Sequence, residues 1–183
     1  LAASGRPLAA PSANASNGLS PTTAGHVVAS LGDTVPLVID DGPCAAGLES
    51  TIVHARRVLR PGPITDADLN PDNRGSGAGR LDTGPSQGRI VAPGQLASHY
   101  APGKPLRLDV IDAARDEYLI GFGPVAGDET LSAAGNPVEA AANLFAALHR
   151  ADASDRARIA VAPIPRDGLG EAINDRLARA ATR

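Results

Sequence analysis

Short blocks of apolar residues, separated by glycine, proline and small polar residues, run along the first third of the chain. One block predicts a helix over residues 21–31, because its apolar residues fall on one helical face. Ser20 and Pro21 suit the start of this helix, and Gly32 suits its end. The other apolar blocks predict a short strand at 6–10, a buried strand at 35–40 and two paired strands at 50–55 and 57–60.

The pattern changes after residue 66. Gly, Pro, Ser, Asp and Arg dominate from about 70 to 95, which is typical of a linker or a long functional loop. From residue 105 onward, strands alternate with helices, and such alternation predicts a small parallel sheet. The expected strands are 106–110, 118–122 and 159–162, with one helix starting at Asn136 and a last helix after Gly168.

These elements predict an α/β protein made of three parts: residues 1–66, a linker or lid at 67–104, and a Rossmann-like domain at 105–183. No Gly-x-Gly-x-x-Gly follows the first strand of the last part, so we do not assign it a dinucleotide site. Its first helix should bury a stripe at Val138, Ala141, Phe145 and Leu148. Its last helix should bury Leu169, Ile173 and Leu177 and expose a solvated face with Glu171, Asp175, Arg176 and Arg179.

Composition limits the possible functions. The 183 residues carry a net charge of -3 and include one cysteine, Cys44. The single cysteine excludes an internal disulfide and makes a cysteine-rich zinc site implausible. There is no basic stripe of the kind that tight nucleic-acid binding needs, so we expect none. We see no signal peptide and no apolar run long enough for a bilayer, which predicts a cytoplasmic protein without membrane contact.

The first polar cluster is a candidate anion site. Ser12, Asn14 and Ser20 lie just before the predicted helix, whose first amides have no helical partner. We expect the free amides to be those of Thr22 and Thr23, facing a phosphate or carboxylate. Turn and capping residues would give the same pattern without any ligand, and one segment does not decide between the two.

The second polar cluster contains Ser50, Thr51 and Arg60. The guanidinium of Arg60 can bind a phosphate through two parallel hydrogen bonds, although a surface arginine at a strand end is an equal alternative. Glu49 could hold a metal, but a structural role is favoured. The isolated histidines, His26, His54 and His149, are interpreted as surface or edge residues rather than general bases. No catalytic residue and no metal ligand is assigned, and a site of this kind suits nucleotidyl transfer, which needs mainly alignment.

Several motifs occur together in an order that resembles one enzyme family. They are Pro11-Ser12-Ala13-Asn14, Ser20-Pro21-Thr22, Glu49-Ser50-Thr51, Leu59-Arg60-Pro61-Gly62, Pro93-Gly94, His99-Tyr100-Ala101-Pro102 and the stretch Gly168-Leu169-Gly170-Glu171-Ala172-Ile173-Asn174-Asp175-Arg176-Leu177. The chain resembles the two-domain, YrdC-type threonylcarbamoyl-AMP synthases. The resemblance implies that residues 1–66 are the C-terminal half of a YrdC-like twisted mixed sheet and that 105–183 are the family's Rossmann-like C-terminal domain.

The resemblance also implies an activity and a site. The family joins L-threonine, bicarbonate and ATP, with Mg²⁺ expected to assist, and releases pyrophosphate and threonylcarbamoyl-AMP. A separate tRNA threonylcarbamoyl transferase complex uses the product. By the family pattern the nucleotide contacts Ser12, Asn14, Ser20, Arg60, His99 and Tyr100, and threonine contacts Ser50 and Thr51. The linker around His99 and Tyr100 would close over the site.

The sequence leaves two alternative functions open. A carbamoyl-adenylate step in metal-centre maturation would use a related domain, but the zinc-finger-like cysteine pairs are missing. An RNA-binding or ribosome-maturation module of the YrdC-like class is the non-enzymatic alternative. The family's first half, with its basic phosphate-binding residues, is not in this sequence. We therefore expect a C-terminal fragment that is inactive alone.

Overall fold

The computed structural model describes residues 3–8, 10–55, 57–69 and 98–182, so most of the predicted linker lies outside the described residues. None of the described helices has the length and apolar character needed to cross a bilayer. In chain order the elements are α1 (Ala24–Leu31), a 3-10 turn (Gly32–Thr34), β1 (Ile52–His54), β2 (Arg57–Arg60), α2 (Asp66–Leu69), β3 (Leu106–Arg107), β4 (Glu117–Gly121), β5 (Glu129–Thr130), α3 (Pro137–Ala153), β6 (Arg158–Val161) and α4 (Leu169–Ala181).

A parallel four-stranded sheet organises the C-terminal half. Its strand order is β3-β6-β4-β5, and every neighbouring pair is parallel. The central strands β4 and β6 have buried residues along most of their length, because α3 and α4 cover the sheet. The prediction of a small Rossmann-like parallel α/β unit is confirmed. The short strand β5 was not predicted, and β3 is shorter than expected.

The predicted hairpin is also confirmed. Strands β1 and β2 pair antiparallel, with a register shift between Ile52 and Val53. The chain reverses at Ala55, which has a φ of 53°. The protein thus combines a two-stranded antiparallel sheet with a parallel one, as the α/β prediction requires.

Helix α3 shows how local sequence and packing agree. Asn136 caps it, since its side chain accepts hydrogen bonds from the amides of Val138 and Glu139. Of the predicted apolar stripe, Ala141, Phe145 and Leu148 are buried. The prediction that Val138 is buried is wrong, since it is 65% exposed. Val138 lies in the first turn of α3, and the buried residues of this helix begin at Ala140.

One apolar core joins the two halves of the chain. Most of its members come from the parallel sheet and its helices, but Leu19 and Leu48 from the N-terminal half belong to the same cluster. Tyr100, near the end of the predicted linker, is 2% exposed and packs in this core as well. The loops that carry Leu19 and Leu48 are therefore fixed against the C-terminal half.

Two predicted strands do not form. Residues 35–40 have no strand structure, and Leu37 and Ile39 are 74% and 86% exposed. The described residues of 6–10 likewise form no strand, and Leu8 is exposed. A strand is stable only beside a partner, and within the described ranges none pairs with either segment.

Helix α1 starts later than expected. Its N-cap is Thr23, whose hydroxyl accepts from the amide of His26, and its first residue is Ala24. Ser20 is therefore not the cap, because its hydroxyl is engaged elsewhere. Gly32 ends the helix with a φ of 51°, as predicted.

Candidate functional site

A cavity of about 470 Å³ opens beside the first turn of α1. Two predicted site residues, Ser12 and Ser20, line it, and Glu49 lies on the same wall. The rest of the lining is Ala13, Pro21, Thr22, Thr23, Ala24, Val27, Val38, Ile39, Asp40, Asp41, Gly42, Cys44, Gly47 and Leu48. A cavity of this size, apolar with a few convergent polar groups, is typical of a small-molecule site.

The predicted residue Asn14 shapes the loop beside this cavity. Its side-chain amide donates to the carbonyls of Gly18 and Leu19, at 3.0 and 3.2 Å. These bonds close the turn between Ser12 and Ser20 and deliver Ser20 to the cavity wall. A direct contact of Asn14 with a nucleotide stays a prediction.

The start of α1 gives the cavity one positively polarised end, because the aligned peptide dipoles leave partial positive charge there. The prediction that Thr22 has an unpaired amide is wrong. That amide donates to Nδ1 of His26 at 3.2 Å, since the side chain folds back over the first turn. Any anion would therefore be met by amides further along the first turn.

Ser20 and Glu49 form the polar centre of the site. The buried hydroxyl of Ser20 donates to Oε1 of Glu49. Because the proton of Ser20 is used in this bond, the serine oxygen meets a ligand as an acceptor. It therefore suits a ligand ammonium or hydroxyl better than a phosphate oxygen.

Glu49 is held as a carboxylate. Burial raises its pKa, but the charge of Arg176 and the hydrogen bonds from Ser20 and Arg176 outweigh burial, so the pKa lies below its usual value. Arg176 was predicted on a solvated face, and this is wrong, since it is fully buried on α4. The helical pattern gave no sign of this, because the carboxylate that pairs with it comes from a distant loop.

None of the three residues of the second predicted cluster, Ser50, Thr51 and Arg60, lines the cavity. Both Nε and Nη2 of Arg60 donate to the carbonyl oxygen of Ser50, at 3.1 and 2.9 Å. The hydroxyl of Thr51 donates to the carbonyl of Ile64 at 2.7 Å. These bonds fix the loop that carries Ser50 and Thr51, and the roles of the three residues toward ligands stay predictions.

His99 and Tyr100 lie on the other side of the same loops. The two rings are 4.0 Å apart, and Tyr100 faces Phe145 at 5.7 Å and the guanidinium of Arg176 at 5.2 Å. Nδ1 of His99 is buried and has no hydrogen-bond partner among the described residues. Burial lowers the pKa of His99 more than the attraction of Glu49 raises it, and nearby arginines lower it further. Its surroundings therefore favour the neutral form of the His99 ring.

A histidine pair was missed by the sequence analysis, which placed His26 and His149 separately at the surface. Their rings stack at 3.8 Å with an interplanar angle of 19°. Nε2 of His149 lies 3.1 Å from the carbonyl oxygen of Ser20, so α3 supports the cavity wall directly. No local pattern could reveal this pair, since the two helices meet only in the fold.

This pair predicts a loss of stability in acid. Burial lowers the pKa of both histidines below 6.5, and the partner ring lowers that of His26 further. The unfolded chain therefore takes up protons first, so the free energy of unfolding falls as pH drops through 6.5 toward the folded pKa values. The free energy of unfolding is measured by urea unfolding at a series of pH values from about 5 to about 8. His149→Gln should flatten the profile, whereas His54→Gln, at an exposed position, should leave it unchanged.

The described residues hold no group of three or more His, Cys, Asp or Glu side chains placed for a metal ion. Asp40 and Asp41 supply carboxylates to the cavity wall, and Asp40 accepts from the amide of Gly42 at 2.9 Å. Two carboxylates are compatible with Mg²⁺ that keeps waters and phosphates as its other ligands.

Comparison with protein families places this site in context. The family profile described as threonylcarbamoyl-AMP synthase, C-terminal domain, matches residues 56–182. A second profile, described as telomere recombination, matches residues 1–62. Together the two profiles cover both halves of the chain.

Curated proteins of three organisms are similar to this chain, and each is named threonylcarbamoyl-AMP synthase. The protein of Pyrococcus abyssi is 31% identical in an alignment of 202 positions that covers 96% of this chain and 58% of that protein. The protein of Bacillus subtilis is 36% identical over 125 residues, or 64% of this chain and 35% of its own length. That of Schizosaccharomyces pombe is 48% identical over 69 residues, or 36% and 17%. The chain thus spans little more than half of the first relative, and less of the other two.

Solved structures give the same picture. P. abyssi Sua5 complexed with L-threonine matches 93% of this chain and 56% of its own, with a TM-score of 0.76 and 28% identity. A variant of that protein, in which an adjacent histidine and tyrosine are both replaced by alanine, matches with a TM-score of 0.72 and 26% identity.

Proposed function

Since this chain belongs to the threonylcarbamoyl-AMP synthase family, we propose that the complete protein joins L-threonine, bicarbonate and ATP into threonylcarbamoyl-AMP and releases pyrophosphate. The observation that carries the proposal is the cavity beside α1, with Ser20 and Glu49 on its wall. It offers an acceptor and a carboxylate near a helix start, which suits a ligand with both an ammonium and an anionic group. The solved relative complexed with L-threonine supports this choice of amino acid.

The bond changes follow from the product. The amine of threonine adds to the carbon of bicarbonate with loss of water and forms a carbamate. A carbamate oxygen then attacks the α-phosphorus of ATP, and the bond to the pyrophosphate oxygen breaks. Such a transfer needs alignment and charge stabilisation more than a protein nucleophile, so nucleotidyltransferase is the class we propose.

The residues divide this work by position. The start of α1 and the loop that begins at Ser12 would hold the nucleotide, and Ser20 would face the ammonium of threonine. The loop held by Arg60 would present Ser50 and Thr51 to threonine. Mg²⁺ would arrive with ATP and neutralise phosphate charge, with Asp40 or Asp41 as the protein carboxylates in reach of the cavity.

His99 and Tyr100 are proposed to bind the ligand from the linker side. In the solved variant of the relative, an adjacent histidine and tyrosine were the residues chosen for replacement by alanine. This chain also has an adjacent histidine and tyrosine, at His99-Tyr100, and the parallel supports the proposal. The buried Nδ1 of His99, which has no hydrogen-bond partner within residues 98–182 or the other described ranges, is the group that a ligand would satisfy. The product would pass to a separate transferase complex that modifies tRNA.

The proposal is tested with the complete protein that contains these residues. Pyrophosphate release from ATP should require both L-threonine and bicarbonate, and mass spectrometry should detect threonylcarbamoyl-AMP. L-Alanine serves as the control amino acid, because it lacks the hydroxyl and methyl that a threonine site would contact. Pyrophosphate release without any dependence on threonine would reject the proposal.

The isolated 183-residue chain is expected to show no turnover. The described residues that line the cavity include no lysine or arginine, and a triphosphate needs cations to neutralise its charge. The measurement compares pyrophosphate release by the chain and by the complete protein at equal concentration. Turnover by the chain at a comparable rate would contradict the expectation.

A further inference from the structure

Among the arginines that form ion pairs in the described part of the chain, only Arg176 has a fully buried side chain. A buried guanidinium is costly unless every donor finds a partner. Here Nε donates to Oε2 of Glu49 at 2.7 Å, and Nη2 donates to the carbonyl oxygen of Pro61 at 2.9 Å. Nη1 donates to Asp175 at 2.7 Å, and the guanidinium lies over the ring of Tyr100.

These partners come from separate parts of the chain. Only Asp175 belongs to α4, and its carboxylate is shared with Arg179. Glu49 lies in the loop before Ser50 and Thr51, and Pro61 lies in the loop after β2. The two loops touch, since a Cβ placed on Gly62 would lie 2.5 Å from the amide nitrogen of Thr51. Arg176 therefore ties both loops of the candidate threonine site to the C-terminal domain.

We propose that Arg176 is a positioning residue for the amino-acid end of the site, acting through Glu49 on Ser20 and on the loop of Ser50 and Thr51. The inference rests on the proposed function, because the site that Arg176 orders is the one assigned to threonine. Arg176 is fully buried, so it would act without touching the ligand. It fixes one carboxylate oxygen of Glu49 so that the other oxygen accepts the proton of Ser20.

Because Arg176 is charged, the proposed role should also affect how activity depends on pH. Burial raises the pKa of Glu49, and Arg176 is the main opposing influence. Without Arg176, Glu49 should take up a proton at a higher pH and release the hydroxyl of Ser20. The other groups that face this carboxylate or its neighbours are Asp175 and Arg179 on α4, His99 and Tyr100 beside it, Arg60 on β2 and His149 on α3.

The test uses the complete protein with Arg176→Met, Arg176→Lys and Glu49→Gln. Kinetics of threonine-dependent pyrophosphate release are measured against pH, and threonine binding is measured by calorimetry. Arg176→Met should raise the KM for threonine about tenfold or more, because a charged hydrogen-bonded pair is lost. It should also move the acidic limb of the pH profile to higher pH. Arg176→Lys should restore the limb in part, and Glu49→Gln should remove the limb while raising KM.

Arg158→Gln is the matched control, since Arg158 also pairs with an aspartate through two hydrogen bonds but does so at the surface, with Asp116. It should leave KM and the pH profile unchanged. If Arg176→Met does not fold, Arg176→Lys and Glu49→Gln carry the same comparison. Variants with a lower Tm but the parent's KM and acidic limb would overturn the inference and leave a purely structural arginine.

The two proposals fail in different ways. A parent protein that neither binds threonine nor releases pyrophosphate with it overturns the proposed function and this inference together. A parent that does both, alongside an Arg176→Met variant with the same threonine affinity and pH profile, overturns the positioning role alone.

Discussion

Gly47→Ala is expected to lower the free energy of unfolding of the chain by about 3 kcal/mol. Gly47 has a φ of 68°, which an alanine adopts at a cost, and its added Cβ would lie 2.1 Å from the carbonyl oxygen of Ala141 and 2.5 Å from the Cα of Ala142. Both are backbone atoms of α3 and cannot turn aside. The loop would have to leave the helix, and Leu48 and Glu49 would move with it.

The measurement is urea or thermal unfolding, with threonine binding by the complete protein as a second readout. Gly32→Ala is the matched control, because Gly32 also has a positive φ, of 51°, but no atom within 4 Å of an added Cβ. The control should lose only the backbone cost, about 1–2 kcal/mol, which separates that cost from the collision. Equal losses in the two variants would show that the contact of Gly47 with α3 does not form.

Glu49→Ala is the second change with a large expected effect, about 3 kcal/mol. It removes the carboxylate that pairs with the buried guanidinium of Arg176 and the acceptor for the hydroxyl of Ser20. Breaking a buried pair by removing one partner leaves an uncompensated charge. Asp175 still contacts Arg176, so the loss belongs at the lower end of the range for such pairs.

The comparison is Asp116→Ala, which removes an ion pair of similar geometry with Arg158. The side chains of that pair are 50% and 49% exposed, so water replaces the lost contacts and the change in unfolding free energy should be far smaller. Denaturant unfolding of both variants at pH 7 measures the difference. Similar losses would mean that burial adds nothing to the pair of Glu49 and Arg176.

The parallel sheet and its helices could be predicted from the sequence, because their patterns are local. Asn136 and the apolar residues of α3 carry their signals within a few turns of chain. The failure at 35–40 has the opposite cause, since an apolar run predicts a strand only if another strand lies beside it. Leu37 and Ile39 gave the pattern, but their burial depended on a partner that the pattern does not encode.

The site could be predicted only in part. Ser12 and Ser20 were found from their small polar neighbourhood, and both line the cavity. Arg176 was misplaced because it lies among charged residues on α4 and was therefore assigned to the solvent-exposed face. Its burial depends on the carboxylate of Glu49, which is 127 residues away along the chain. Long-range contacts of this kind override local periodicity.

The docking of Gly47 on α3 has a consequence for the order of events during synthesis. The loop leaves the ribosome well before α3 does, on the order of ten seconds at usual elongation rates. During that time Leu48 cannot pack against the apolar core, and Glu49 cannot pair with Arg176. We expect the nascent loop to be sensitive to proteases or bound by chaperones until translation has delivered the last helix.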